Sequence, residues 1–301
     1  MKTMHGIVLW TAVGLCLACA TSRPAVATED TSSPASKDTD AAQPMSDQAW
    51  AALFDDSIPL DERQRSVANL EHGTRLQDQQ DLYMLGSLYH MGQHAHGSPV
   101  QADAEKASLY FANAAVRGSV LAMAKMAELK LAAKDYPEAM NWAQIYAHYA
   151  LTSTKRDLAG ESYAAELIKR IDDHVERSAM DAIIKDVRSF EMAYDASIRA
   201  GMTHIVAHND LQPTTRRHHV DVTPGTRGPD AGMADVLVGF RADGTAASVQ
   251  LFDTVPLSTP DDSVIANARS MTVAPSEGAA LRYAWVPIVL GDGRYYVHYR
   301  Q

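Results

Sequence analysis

Between residues 82 and 122, glycines, alanines and aromatic residues recur at a spacing that only two antiparallel, closely pressed helices can use. The stretch reads Leu85-Gly86, Tyr89, Gly92, Asp103, Lys106-Ala107, Tyr110, Ala114-Ala115 and Gly118. Small residues belong where two helix backbones meet, and large ones fill the space between them. Gly86 and Ala107 are the expected small contacts. Tyr89 and Tyr110 each lie three residues further along, on the same helix face, and can fill the groove beside them. Gly92 and Gly118 are placed to stop their helices, as glycines after a helix end do.

Sliding the pattern forward by 32 residues brings Lys106-Ala107, Tyr110 and Ala114-Ala115 onto Glu138-Ala139, Trp142 and Tyr146-Ala147. Repetition at this period marks a stack of helical hairpins. These residues resemble the Sel-one-like repeat, a relative of the tetratricopeptide repeat. The resemblance implies a solenoid whose concave face binds a protein or peptide, with Leu85, Gly86, Tyr89, Gly92, Ala107, Tyr110, Ala114, Ala115, Gly118, Ala139, Trp142 and Ala147 as its packing positions. Helices are expected over 81–91, 103–117, 120–133 and 137–151, with a nine-residue loop at 93–101 inside the first copy. A weaker hairpin precedes them at 48–72, anchored by Trp50, Leu53, Val67 and Leu70. Beyond residue 156, Tyr163, Leu167, Ile171 and Val175 give one long helix. A second, over 180–200, caps the stack.

After a Pro- and basic-rich segment at 201–228 the helical period disappears. Residues 234–241 read as a strand, Ala242-Asp243-Gly244 as a turn and 245–252 as the return strand. A helix then runs from about 260 to 271 with an acidic first turn, followed by strands over 282–290 and 294–300. Phe240, Asp243 and Gly244, Val249, the helix, Pro275, and Val286-Pro287 resemble the C-terminal domain of the TonB energy-transducer family. The resemblance implies a small α+β sheet of ββαβ order whose edge, at 282–290 or 294–300, accepts an extended peptide such as the short box of an outer-membrane transporter. The chain lacks the Trp and Phe usual at the end of that family's helix, and the long Pro/Lys spacer of an energy transducer. The fold class is therefore multidomain, an all-α repeat solenoid followed by a small α+β domain.

At the other end, Lys2 and an apolar run from Gly6 to Ala18 have the layout of a secretory signal, too short to span a bilayer. The run closes on Leu17-Ala18-Cys19, which resembles the lipobox of bacterial lipoproteins, although Cys16 stands where that family usually has leucine. The resemblance implies acylation of Cys19 and a lipid anchor; the alternative is an ordinary signal cleaved near Ala18 or Ala20. Both readings place the protein outside the cytoplasm, and for the lipid-anchored one the absence of Asp after Cys19 implies the outer membrane, with the protein facing the periplasm. The expected organisation is 1–18 signal peptide, 19–48 lipidated cysteine and flexible tether, 49–200 solenoid, 201–228 linker and 229–301 TonB-like domain. A tether of ~29 residues behaving as a coil reaches ~30 Å.

Cys16 and Cys19 are the two cysteines, so nothing after them can form a disulfide or present a thiol nucleophile. The chain carries 27 basic against 37 acidic residues, a formal net charge of -10, which argues against nucleic acid as a partner. Twelve histidines raise a metal reading, in three groups: His90, His94 and His96; His204 and His208; His218 and His219. Glu is missing between His204 and His208, so the zinc-protease pattern fails. No phosphate-binding glycine loop or nucleophile elbow occurs. The adjacent acids Asp55-Asp56, Asp172-Asp173 and Asp261-Asp262 read as helix-dipole partners or solvated charge. The expectation is a non-enzymatic envelope adaptor with no cofactor, no metal and a protein or peptide partner. The competing readings are a periplasmic metal-dependent hydrolase built on the histidines, and a TonB-like domain that serves self-association.

Overall fold

The computed structural model describes residues 45–72, 78–152, 158–203, 210–215, 231–257 and 262–291. The chain falls into two units, Met1–Asp40 and Ala41–Gln301, and the first lies wholly outside the described residues. Cys19 and the signal therefore lie outside them, as do His204, His208, His218, His219 and the expected strand at 294–300. Among the described residues no helix is long and apolar enough to cross a membrane.

The described chain is mostly helical, with a small antiparallel sheet near its C-terminal end. Helices α1 (Asp47–Ala52) and α2 (Leu60–His72) come first, with Trp50, Leu53, Val67 and Leu70 all buried. Packed structure starts no later than Met45, inside the segment read as tether: the Met45 N–H donates to the buried carboxylate of Asp81, which also accepts from Trp50 Nε1 at 3.3 Å.

Two hairpins follow, α3 (Gln79–Met91) with α4 (Ala104–Ala115), then α5 (Val120–Ala132) with α6 (Tyr136–Leu151). Their second helices are offset by 32 residues and their first helices by 41, and the nine-residue difference is the loop at 93–101. Gly86 of α3 thus corresponds to Ala127 of α5, a small residue at the same place. Asp103 and Asp135 stand at the N-caps of α4 and α6, though only Asp103 bonds a backbone N–H with its side chain. Both hairpins' inner helix ends close on residues with a positive φ, Gly92 at 48° and Lys134 at 62°.

After α5 the chain makes a Schellman turn, in which Lys134 N–H donates to Leu131 O and Asp135 N–H to Lys130 O. The α4 end makes the same turn through Gly118 (φ 101°), with Ser119 N–H donating to Ala114 O. A left-handed backbone burdens a side chain that glycine lacks. Lys134→Gly is therefore expected to stabilise the fold by roughly 0.5–1 kcal/mol, seen as a higher thermal midpoint.

Helix α7 (Leu158–Asp172) packs on α6, and α8 (Met180–Thr203) crosses α6 and reaches the α4–α5 turn. At that crossing a Cβ on Gly201 would lie 1.7 Å from the Arg117 carbonyl oxygen, so only glycine allows the approach. The segment read as a linker thus supplies the last turn of α8. It also supplies β1 (Thr214–Thr215).

The sheet is built from β2 (Gly232–Phe240), β3 (Ala246–Val255) and, after α9 (Asp262–Arg269) and β4 (Met271–Thr272), β5 (Arg282–Leu290). Its order is β3-β2-β5, antiparallel throughout, and β1 pairs separately with β4. All nine residues of the central β2 are buried. Alternation sends Met233, Asp235 and Leu237 towards the helices, and Val236, Val238 and Phe240 towards α9. The segments 49–200 and 229–301, assigned separately by sequence, share the larger of these two cores: Met233, Leu237, Phe252 and Val255 join the cluster built by α1 to α8.

Candidate functional site: a buried charge cluster between helices and sheet

Asp235 and Asp253 face each other across the β2–β3 ladder. Two like charges at directly opposed positions repel, and burial removes the water that would screen them. A register shift between Asp235 and Val236 leaves Phe252 as the extra residue, so that Phe252 and Asp253 are both buried rather than one alternating outwards.

Lys125, on α5, supplies the cation. Its Nζ lies 2.8 Å from Asp235 Oδ2 and 2.7 Å from Asp253 Oδ2, and all three side chains are 0% exposed. The remaining valences are filled from the neighbouring elements. Tyr83 of α3 donates its hydroxyl to Asp235 Oδ2 at 2.8 Å, and Trp285 of β5 donates Nε1–H to Asp235 Oδ1 at 3.0 Å. His90, at the end of α3, meets Asp253 Oδ1 through Nδ1 at 2.7 Å, and the Thr254 N–H donates to the same oxygen. His90 is 13% exposed and connects the cluster to the surface.

The environment splits the two carboxyls. Burial raises the pKa of Asp235, an effect Lys125 only partly offsets and Asp253 strengthens. Burial also pushes Asp253 upwards, but His90 and Lys125 outweigh it and leave its pKa below the ordinary value. Burial pulls Lys125 towards the neutral amine, and the two carboxylates override it. Burial first, and then both acids, holds the Tyr83 phenol well above the usual tyrosine range. A dry site with one acid-leaning carboxyl, one firm carboxylate and an ammonium between them has the elements of proton exchange between nitrogen and carboxyl.

One turn after Lys125, Glu128 accepts from Tyr163 Oη at 2.6 Å and from the Arg170 guanidinium, fastening α5 to α7. A third cluster uses the repeat residues themselves. The Tyr89 and Tyr110 rings stack with centroids 5.9 Å apart; Glu71 of α2 accepts from Tyr110 Oη at 2.8 Å and from Lys106 Nζ at 3.0 Å. In the second copy Trp142 Nε1 donates to Glu138 instead.

The repeat-packing positions Leu85, Gly86, Tyr89, Gly92, Ala107, Tyr110, Ala114, Ala115, Ala139, Trp142 and Ala147 are buried, and Gly118 sits in its turn. The TonB-like positions do not converge. Phe240 lies in the α9-side core with Val286 against it, while Pro287 faces Asp235 across the ladder. Asp243 and Gly244 form the β2–β3 turn, where Asp243 Oδ1 accepts from the Thr245 N–H at 2.9 Å, and Pro275 is exposed. His90 turns inward to Asp253, whereas His94 and His96 point to solvent from the loop. Among the described residues no three His, Cys, Asp or Glu side chains are grouped to hold a metal.

Sequence reading missed the central cluster, yet it left a mark. Lys125 interrupts the apolar run Ala122-Met123-Ala124-Lys125-Met126-Ala127, and Asp235 and Asp253 interrupt apolar strands. A charge where every neighbour is apolar needs a partner. Compared with known proteins, the chain matches no protein-family model, no curated protein and no solved structure.

Proposed function

We propose that this chain is a non-enzymatic cell-envelope adaptor: a lipid-anchored protein in which Sel-one-like hairpins and a TonB C-terminal-like sheet together present surfaces to a protein or peptide partner. The observation that carries it is the tandem hairpin. Small residues recur at Gly86 and Ala127, and a positive-φ residue follows the first helix of each hairpin at Gly92 and Lys134, a recurrence of the kind from which stacked binding repeats are built. The face formed by α3 and α5 is taken by the chain's own sheet. Partner contact then falls to the outer helices, where Leu109 of α4 is 59% and Met192 of α8 88% exposed, and to the sheet edge.

Of the two edges among the described residues, β5 is the poorer acceptor of a strand. The Trp285 N–H already donates to Asp47 Oδ2 at 2.9 Å, and Pro287, two residues on, has no N–H. Ladder alternation then turns the N–H groups of Val249 and Leu251 outwards on β3. Leu109→Asp and Val249→Pro variants of the full chain, tested for capture from the detergent-solubilised envelope of its source, separate the surfaces. Wild type is expected to retain a specific partner that one variant loses without change in circular dichroism. Capture of nothing, with stoichiometric zinc in untagged protein, would favour the hydrolase reading.

A further inference from the structure

The Lys125 cluster holds more than an ion pair requires. An amine nitrogen touches a carboxyl oxygen inside a dry, aromatic-lined site, and a second carboxylate touches the same nitrogen. Asp235 Oδ1 and Oδ2 receive separate donors, Trp285 Nε1–H on one and Tyr83 Oη–H on the other. Such a division suits addition at the carboxyl carbon, where one oxygen gathers negative charge and the other departs.

We propose that folding brings Lys125 and Asp235 to react with each other, forming an intramolecular amide between Nζ and Cγ, with Asp253 as the general base. The ammonium first passes a proton to Asp235 Oδ2, giving an amine and a carboxylic acid, a minor arrangement of the pair whose cost the water-free site reduces. Nζ then adds to Cγ, and the charge on Oδ1 is held by Trp285. Asp253 takes a second proton from the nitrogen and returns it to the departing Oδ2, which Tyr83 has held in place. The Nζ–Cγ bond forms and the Cγ–Oδ2 bond breaks. One ammonium and one carboxylate become one amide and one water, with no oxidant, nucleotide or metal consumed. Fixing both groups in contact replaces an encounter that in solution would need an effective concentration of ~10⁵ M or more. The product ties α5 to β2 covalently, across the interface between the helices and the sheet. His90, bonded to Asp253 and reaching the surface, orients the base and links it to solvent.

Mass spectrometry of the purified full chain, denatured and compared with its Lys125→Arg and Asp253→Asn variants processed in the same way, tests this. Wild type is expected to weigh one water less than its sequence requires, and protease fragments carrying Lys125 and Asp235 should remain joined. The Lys125→Arg chain should show the full mass, and folded Asp253→Asn should show the full mass or a slowed loss of water. Folded wild type at full mass with separable fragments would overturn the proposal and leave a buried ion pair. Complete conversion in Asp253→Asn would overturn the role of the base.

Discussion

Lys125→Met is expected to destabilise the protein by about 3–5 kcal/mol, because it leaves two opposed carboxylates buried without their cation. Methionine fills much of the lysine's volume, so packing loss contributes little, and measured against wild type whose Lys125 is unreacted the effect reports charge. The pH dependence should change as well, since in wild type the raised pKa of Asp235 opposes the contribution of Asp253. In wild type the lowered pKa of Asp253 contributes stability that is present above the ordinary carboxyl value of 3.8 and lost as pH falls below it. While the pair is unreacted, the raised pKa of Lys125 contributes stability that is present below 10.5 and lost as pH climbs through the higher folded value. Without the lysine, burial and mutual repulsion raise both carboxyls, so the variant gains stability as pH falls through that raised range. Urea unfolding at about pH 4 and about pH 7 should find the variant more stable at the lower value. Adding Asp235→Asn and Asp253→Asn should recover most of the loss, since the amide oxygens still accept from Trp285, Tyr83 and His90. A loss under about 1 kcal/mol in the single variant would show that the cluster is not the fastener its geometry describes.

What sequence revealed was local. The spacing of Gly86, Tyr89, Ala107 and Tyr110 fixes a helix pair because the contacts lie within a few turns of each other, and α3 to α6 fall close to their expected spans. The turn Asp243-Gly244 and strands β2, β3 and β5 were legible for the same reason. The helix–sheet interface was not. Lys125 and Asp253 are 128 residues apart, Tyr83 and Asp235 are 152, and no periodicity reports a pairing at that separation. Phe252 compounds the difficulty, because the bulge there breaks the alternation by which an inward Asp253 would have been recognised. The loop at 93–101 likewise hid the match between α3 and α5, since a single offset of 32 aligns only the second helices.

Gly86 joins the local pattern to the distant cluster, and Gly86→Val is expected to cost about 3 kcal/mol, the upper end of the range for overpacking a core. A Cβ there would lie 2.6 Å from Phe111 Cδ1 and under 3 Å from two further ring atoms. Phe111 has little room to yield. It is fully buried and packs edge-on against Tyr83 at 5.6 Å, and Tyr83 is held by its hydrogen bond to Asp235. A side chain added to α3 therefore pushes through Phe111 and Tyr83 onto the carboxylate that meets Lys125. The gain of helix propensity on losing a mid-helix glycine, under about 1 kcal/mol, does not compensate. Shrinking the ring should relieve the pressure: Phe111→Leu combined with Gly86→Val is expected to be more stable than the sum of the two single changes, with a coupling of ~1 kcal/mol or more. Urea unfolding of the four proteins in this cycle measures that coupling. Strict additivity would mean that α3 and α4 can part at Gly86 without disturbing Phe111, and that the small-residue contact is not what sets their distance.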